Sequence, residues 1–111
     1  LVIEPTEALT VIDVNSGKFE KKGDSETYYK KVNEEAAVEI ARQLKLRNIS
    51  GIIIVDFINM SSESNQTSLL DNLARLVSKD KVKTHIIGMT SLGLVEITRA
   101  KVERPLWEQM K

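Results

Sequence analysis

Apolar residues recur along this chain with two spacings, every second residue and about every 3.6, and the changes between them mark the elements. Residues 1–4 and 9–15 alternate like short strands around Pro5-Thr6-Glu7, a spacing that predicts an antiparallel hairpin. In the second strand Leu9, Val11, Asp13 and Asn15 share one side, and Thr10, Ile12 and Val14 the other. Residues 16–31 are polar, hold no period and read as a loop. Asn33 then offers an N-cap to a helix with Glu34 and Glu35 in its first turn and Ala37, Ile40, Ala41 and Leu44 on one face. Residues 48–51 break that helix, and the unbroken apolar run 52–55 predicts a central strand covered on both sides. Ser61-Ser62-Glu63-Ser64 supplies caps for a second helix with Leu69, Leu70, Leu73, Leu76 and Val77 inward, ended by Lys79-Asp80-Lys81. Residues 83–89 and 94–98 read as strands joined across Thr90-Ser91-Leu92-Gly93, and a short terminal helix from Glu103 carries Trp107. The expected fold is α/β (α+β), a mixed β-sheet flanked by helices in the order ββαβαββ, with that short C-terminal helix.

Two charges interrupt the apolar pattern, Asp13 in Val11-Ile12-Asp13-Val14 and Asp56 in Ile54-Val55-Asp56-Phe57. Strands are poor in Asp, and a desolvated carboxylate requires a partner, of which a divalent cation is one. Asp56 ends the central strand just before a loop, where open α/β sheets place ligands. Alone, it reads equally as a carboxylate that caps the next segment. Asp13 shifts that balance: if the two strands are neighbours, both carboxylates emerge at one edge and suit Mg²⁺, or Mn²⁺ in its place. Asn15, on the side of Asp13, would add an amide oxygen or position a phosphate. Two carboxylates and an amide are enough to hold a metal and orient water for phosphate chemistry. Lys18, Lys21 and Lys22, with Tyr28, Tyr29, Lys30 and Lys31, offer RNA backbone contacts and stacking, although a solvated loop is the plainer reading. His85 reads as structural. Glu96 reads either as a solvent-side residue or as a carboxylate supporting the pair.

Composition narrows the field. A chain of 111 residues, 41% apolar and 29% charged, fits one soluble domain. Sixteen basic and sixteen acidic side chains cancel, so the broad basic footprint of a self-sufficient nucleic-acid binder is missing and phosphate contacts must be local. Without cysteine and with one histidine, disulfides, thiolate chemistry and a zinc site are excluded within these residues. No apolar run reaches the roughly 18 residues of a membrane span, and no leader pattern opens the chain, which predicts a cytoplasmic protein. Dinucleotide, P-loop, zincin and serine-hydrolase motifs are all missing. A start on Leu1 and an end on Lys111 predict a piece cut from a longer polypeptide.

The stretches Val11-Ile12-Asp13-Val14-Asn15-Ser16-Gly17, Asn33-Glu34-Glu35-Ala36-Ala37, Gly51-Ile52-Ile53-Ile54-Val55-Asp56-Phe57 and Gly93-Leu94-Val95-Glu96-Ile97-Thr98-Arg99 resemble, in colinear order, the ribonuclease E/G family. The resemblance implies that residues 1–111 are the single deoxyribonuclease-I-like subdomain of the catalytic region, a fragment of a longer chain. It implies Mg²⁺ on Asp13 and Asp56, with Asn15 positioning the scissile phosphate or the attacking water. The implied activity is endonucleolytic hydrolysis of single-stranded RNA in RNA processing and decay, leaving 5′-phosphate and 3′-hydroxyl ends. The remaining domains of a homo-oligomeric parent nuclease would be its partners. Arg99 and Lys101 fall where relatives carry a more basic run and become candidate RNA contacts, and Asn59 stands where relatives usually carry Asp. Two other readings compete: a catalytically silent RNA-contact or scaffold fragment, and a phosphoacceptor receiver module with Asp56 as acceptor.

Overall fold

A computed structural model describes residues 1–14 and 25–101, and within them the order ββαβαββ is present. The elements are β1 (Val2–Pro5), β2 (Thr10–Asp13), α1 (Ser25–Leu46), β3 (Gly51–Asp56), α2 (Glu63–Val77), β4 (Thr84–Met89) and β5 (Val95–Arg99). The terminal helix expected around Trp107 lies outside the described residues. One mixed sheet runs in the order β1-β2-β3-β5-β4. β1 and β2 form the expected antiparallel hairpin, closed by the amide of Thr6 donating to the carbonyl of Leu9 at 2.8 Å. β2 lies parallel to β3, so α1 is the crossover between them. β5 is antiparallel to both β3 and β4 and sits between them, which makes α2 a second crossover that steps over one strand.

Alternation along the strands decides where the core lies. Ile12, Ile53, Val55, Val95 and Ile97 point to one face and pack with Ala37, Ile40 and Leu44 of α1 and Leu69, Leu73 and Val77 of α2. Both helices therefore cover the same side. The expectation that β3 is buried on both faces fails here: Ile52, on the other side, is 45% exposed. An apolar run signals low polarity, and the routes of the two crossovers decide how many sides are covered.

α1 is also longer than its sequence suggests. It begins at Ser25, so residues 25–31, read as loop, form its first turns, and Asn33 is an interior residue rather than the N-cap. Tyr29, Val32, Ala36, Ala37, Ile40 and Leu44 form one stripe against the sheet, into which Asn33 falls as its only polar member. That member is what disguised the helix start. α2 begins as expected, with the hydroxyl of Ser62 accepting from the amide of Asn65 at 3.2 Å. The β4–β5 turn is closed by the amide of Thr90 donating to Leu94 at 2.7 Å, and Gly93 adopts φ +85°, a conformation that favours glycine.

Candidate functional site

β2 and β3 pair in a register that sets Thr10 beside Ile53, Ile12 beside Val55 and Asp13 beside Asp56. Neighbouring strands lie about 4.8 Å apart, and paired residues of a parallel ladder point to the same face. Both aspartates thus leave the carboxyl end of the sheet side by side, on the face opposite α1 and α2. The amide of Val14 donates to the carbonyl of Asp56 at 3.1 Å and holds the two strand ends together beyond the ladder. Asp56 is exposed, whereas Asp13 is half-buried. One oxygen of Asp13, Oδ1, is fully buried and has no hydrogen-bond partner among the described residues. A buried carboxylate oxygen without a donor is costly, and such exceptions call for an explanation.

A hard cation fits this donor set, since Mg²⁺ is commonly bound by one or two carboxylates and completes its shell with water and phosphate oxygens. Among the described residues no group of three His, Cys, Asp or Glu side chains converges to hold a metal, and the pair is what those residues would contribute. Glu96 lies on the same open face, opposite Ile54 and one strand from Asp56. Asn15 lies outside the described residues.

Behind the pair the chain is clamped from α1. Asn33, 0% exposed, donates from Nδ2 to the carbonyl of Ile58 at 2.8 Å and accepts the amide of Ile58 on Oδ1 at 3.0 Å. Phe57, Ile58 and Met60 are buried with it. The β4–β5 turn closes the other flank, where a Cβ on Gly93 would meet Oδ1 of Asn59 at 3.0 Å. Further along, Glu26 near the start of α1 accepts from the amides of Ser61 and Ser62 and from Nδ2 of Asn65, at 3.1, 3.3 and 2.8 Å. Those donors, led by Asn65, hold its carboxyl below the ordinary value. Sequence reasoning missed both Asn33 and Glu26. The available signal was an amide set in an apolar stripe with its bonding capacity unspent.

The basic candidates gather elsewhere. Arg99 pairs with Gly51, at the amino end of β3, and the length of that strand, roughly 16 Å at about 3.3 Å per residue, separates it from Asp56. Its side chain is 3% exposed and that of Asp80 6%, with Nε of Arg99 2.8 Å from Oδ2 of Asp80. Nη1 donates to Oδ1 of Asn48 and to the carbonyl of Ile49, both at 3.0 Å. Arg99, expected among the RNA contacts, is thus placed in an enclosed ion pair that ties the fold together. Burial pushes the Asp80 carboxyl up, but the Arg99 guanidinium and the amide of Val82 outweigh it and leave the group below its ordinary value. Lys101 follows at the same end and is exposed. His85, opposite Thr98, sits there too, away from the acidic pair. Lys18, Lys21 and Lys22 lie outside the described residues. Of the aromatic and basic group next to them, Tyr29 packs on the core and Lys30 pairs with Glu34 at 2.7 Å within α1.

Comparison with known proteins adds independent findings. The sequence pattern described as the ribonuclease E/G family matches residues 1–102. Ribonuclease E of Synechocystis sp. is 53% identical over 108 residues, which are 97% of this chain and 16% of that protein. A ribonuclease E/G-like protein of Porphyra purpurea is 45% identical over 97% of the chain and 21% of its own length. Ribonuclease G of Escherichia coli is 43% identical over 96% of the chain and 22% of its own length. The chain thus spans about a fifth of the curated relatives it matches.

Proposed function

This chain belongs to the ribonuclease E/G family, and on that footing we propose that it is the deoxyribonuclease-I-like catalytic subdomain of a larger endoribonuclease acting on single-stranded RNA. The observation that carries the reading is the registered pair Asp13 and Asp56 with a buried, unpartnered oxygen on Asp13. A hard divalent cation held by the pair, Mg²⁺ or Mn²⁺ in its place, supplies charge neutralisation at a phosphate and acidifies water. The chain's own task is placement. Asp13 and Asp56 offer two carboxylates from adjacent strands, so sheet hydrogen bonds set the base of their spacing. Asn15, two residues beyond Asp13, orients the scissile phosphate or the attacking water through its amide. Water attacks phosphorus, the bond to the 3′ oxygen breaks, and that oxygen takes a proton, leaving 5′-phosphate and 3′-hydroxyl ends.

A formal charge of zero gives these residues little general hold on a polyanion. The path of the RNA is therefore assigned mainly to the remaining domains of a homo-oligomeric parent, with Lys18, Lys21, Lys22 and Lys101 as local contacts. The setting proposed is cytoplasmic RNA processing and decay. No described helix is long and apolar enough to cross a membrane.

The test is cleavage of a labelled single-stranded RNA by the parent protein in Mg²⁺. Asp13→Asn and Asp56→Asn should each lower the rate by at least about a hundredfold while the fold persists. The downstream product should resist 5′ phosphorylation by a polynucleotide kinase until treated with phosphatase. Undiminished cleavage by both variants would remove the pair from catalysis. One observation favours a second reading for the chain by itself: it spans about a fifth of its relatives' length, which suits an RNA-contact or scaffold piece that completes its site only beside other domains. RNA binding without cleavage by the 111-residue chain would support that reading.

A further inference from the structure

Asn33 has no place in a purely apolar packing scheme. It lies on the buried stripe of α1, where leucine would fill similar space at no cost in desolvation, yet its carboxamide is wholly removed from water. Both of its bonds go to one residue, Ile58, which accepts on its carbonyl and donates from its amide. The side chain thus does for this loop what a neighbouring strand does for β3. We propose that Asn33 is a positioning residue for the acidic pair, fixing the chain that leaves β3 and hence the placement of Asp56 relative to Asp13. The inference rests on the metal reading above and names a residue that tunes that site from behind.

Covalent reach carries the effect. Ile58 follows Asp56 by two residues, at most about 7 Å of extended chain, so a fixed peptide at 58 leaves little freedom at 56. On its near side Asp56 is tied to β2 through the 3.1 Å bond from the amide of Val14, the residue after Asp13. Asp56 is therefore held from two directions, by its pairing with the strand of Asp13 and the Val14 bond beyond it, and by the Asn33 clamp on Ile58. Without the Asn33 clamp, the buried peptide groups of Ile58 must find other partners, and the loop must shift to supply them. Groups that orient metal-binding side chains in this manner govern affinity without touching the ion.

The experiment compares Asn33→Leu and Asn33→Asp with Leu44→Ala, a core change toward the other end of the same helix. Mn²⁺ affinity is read by electron paramagnetic resonance of the free ion. Amide exchange at Val14 and Ile58 is read by NMR on metal-free chain, at a temperature where circular dichroism shows each variant folded. The expected result is a Kd for Mn²⁺ raised tenfold to about a hundredfold in Asn33→Leu, with faster exchange at both amides. Asn33→Asp, which keeps the acceptor and loses the donor, should fall between it and the parent sequence. Leu44→Ala should stay within about twofold of the parent, as distant independent sites do. Should Asn33→Leu fail to fold, Asn33→Asp against Leu44→Ala decides the matter by the same criterion. An unchanged Kd in a folded Asn33 variant, or an equal rise in Leu44→Ala, overturns the inference alone. If the parent sequence binds no Mn²⁺, or binds it equally after Asp13→Asn, the metal reading fails and takes this inference with it.

Discussion

Arg99 ties the last strand to two distant connections of the fold. In sequence it stands two positions from Lys101, and its partners Asp80 and Asn48 are 19 and 51 positions away, beyond the reach of local pattern. Folded, it is a buried ion pair, and removing one partner strands the other charge. Arg99→Ala should cost about 3–5 kcal/mol, read from the urea midpoint, an effect on stability rather than on RNA. Acid should act on the same pair. The Asp80 carboxyl is held below its ordinary value, so its stabilisation is complete above that value and is lost as pH falls through the lower folded one. Asp80→Asn should flatten the acid limb of a plot of Tm against pH. The aspartates of β2 and β3, by contrast, were visible from the start, because a charge inside an apolar strand needs no distant information to be noticed.

At the scale of elements, the start of α2 depends on the start of α1. Glu26 caps it from outside, joining two segments whose contact no single periodicity predicts. Glu26→Gln should lower Tm at neutral pH, and the difference from the parent should close as pH falls through the lowered folded value of the carboxyl, because its contribution vanishes on protonation. A Tm gap that persists at acid pH would assign the effect to packing. Ser62→Ala should cost about 1 kcal/mol by thermal unfolding, the usual loss of an N-cap hydroxyl. Existence and type of the seven elements were legible in the periods, as was the hairpin spacing of β1 with β2 and of β4 with β5. The early start of α1 was not, since a polar side chain in an apolar stripe is indistinguishable from a boundary until its partner is known. Nor was the exact alignment of β2 with β3 fixed, because parallel strands far apart in sequence have no short turn to set their register.

For the whole molecule, the sheet has a protected middle and two modest edges. β3 is bonded on both sides, whereas β1 is four residues long and ends at Pro5, and β4 is irregular between Ile86 and Gly88. Amides of Ile53 and Val55 should therefore exchange slowest of all in native-state hydrogen exchange, and β1 should open first. Slower exchange in β1 than in β3 would contradict this topology. The sheet is also polarised end to end: its amino end is bolted by Arg99 to two connections, and its carboxyl end carries the acidic pair. Inheritance should feel that division. Since a change at Arg99 leaves Asp80 stranded, natural variants should alter positions 80 and 99 together or leave both alone. At the opposite end a change at the exposed Asp56 leaves that buried ion pair intact.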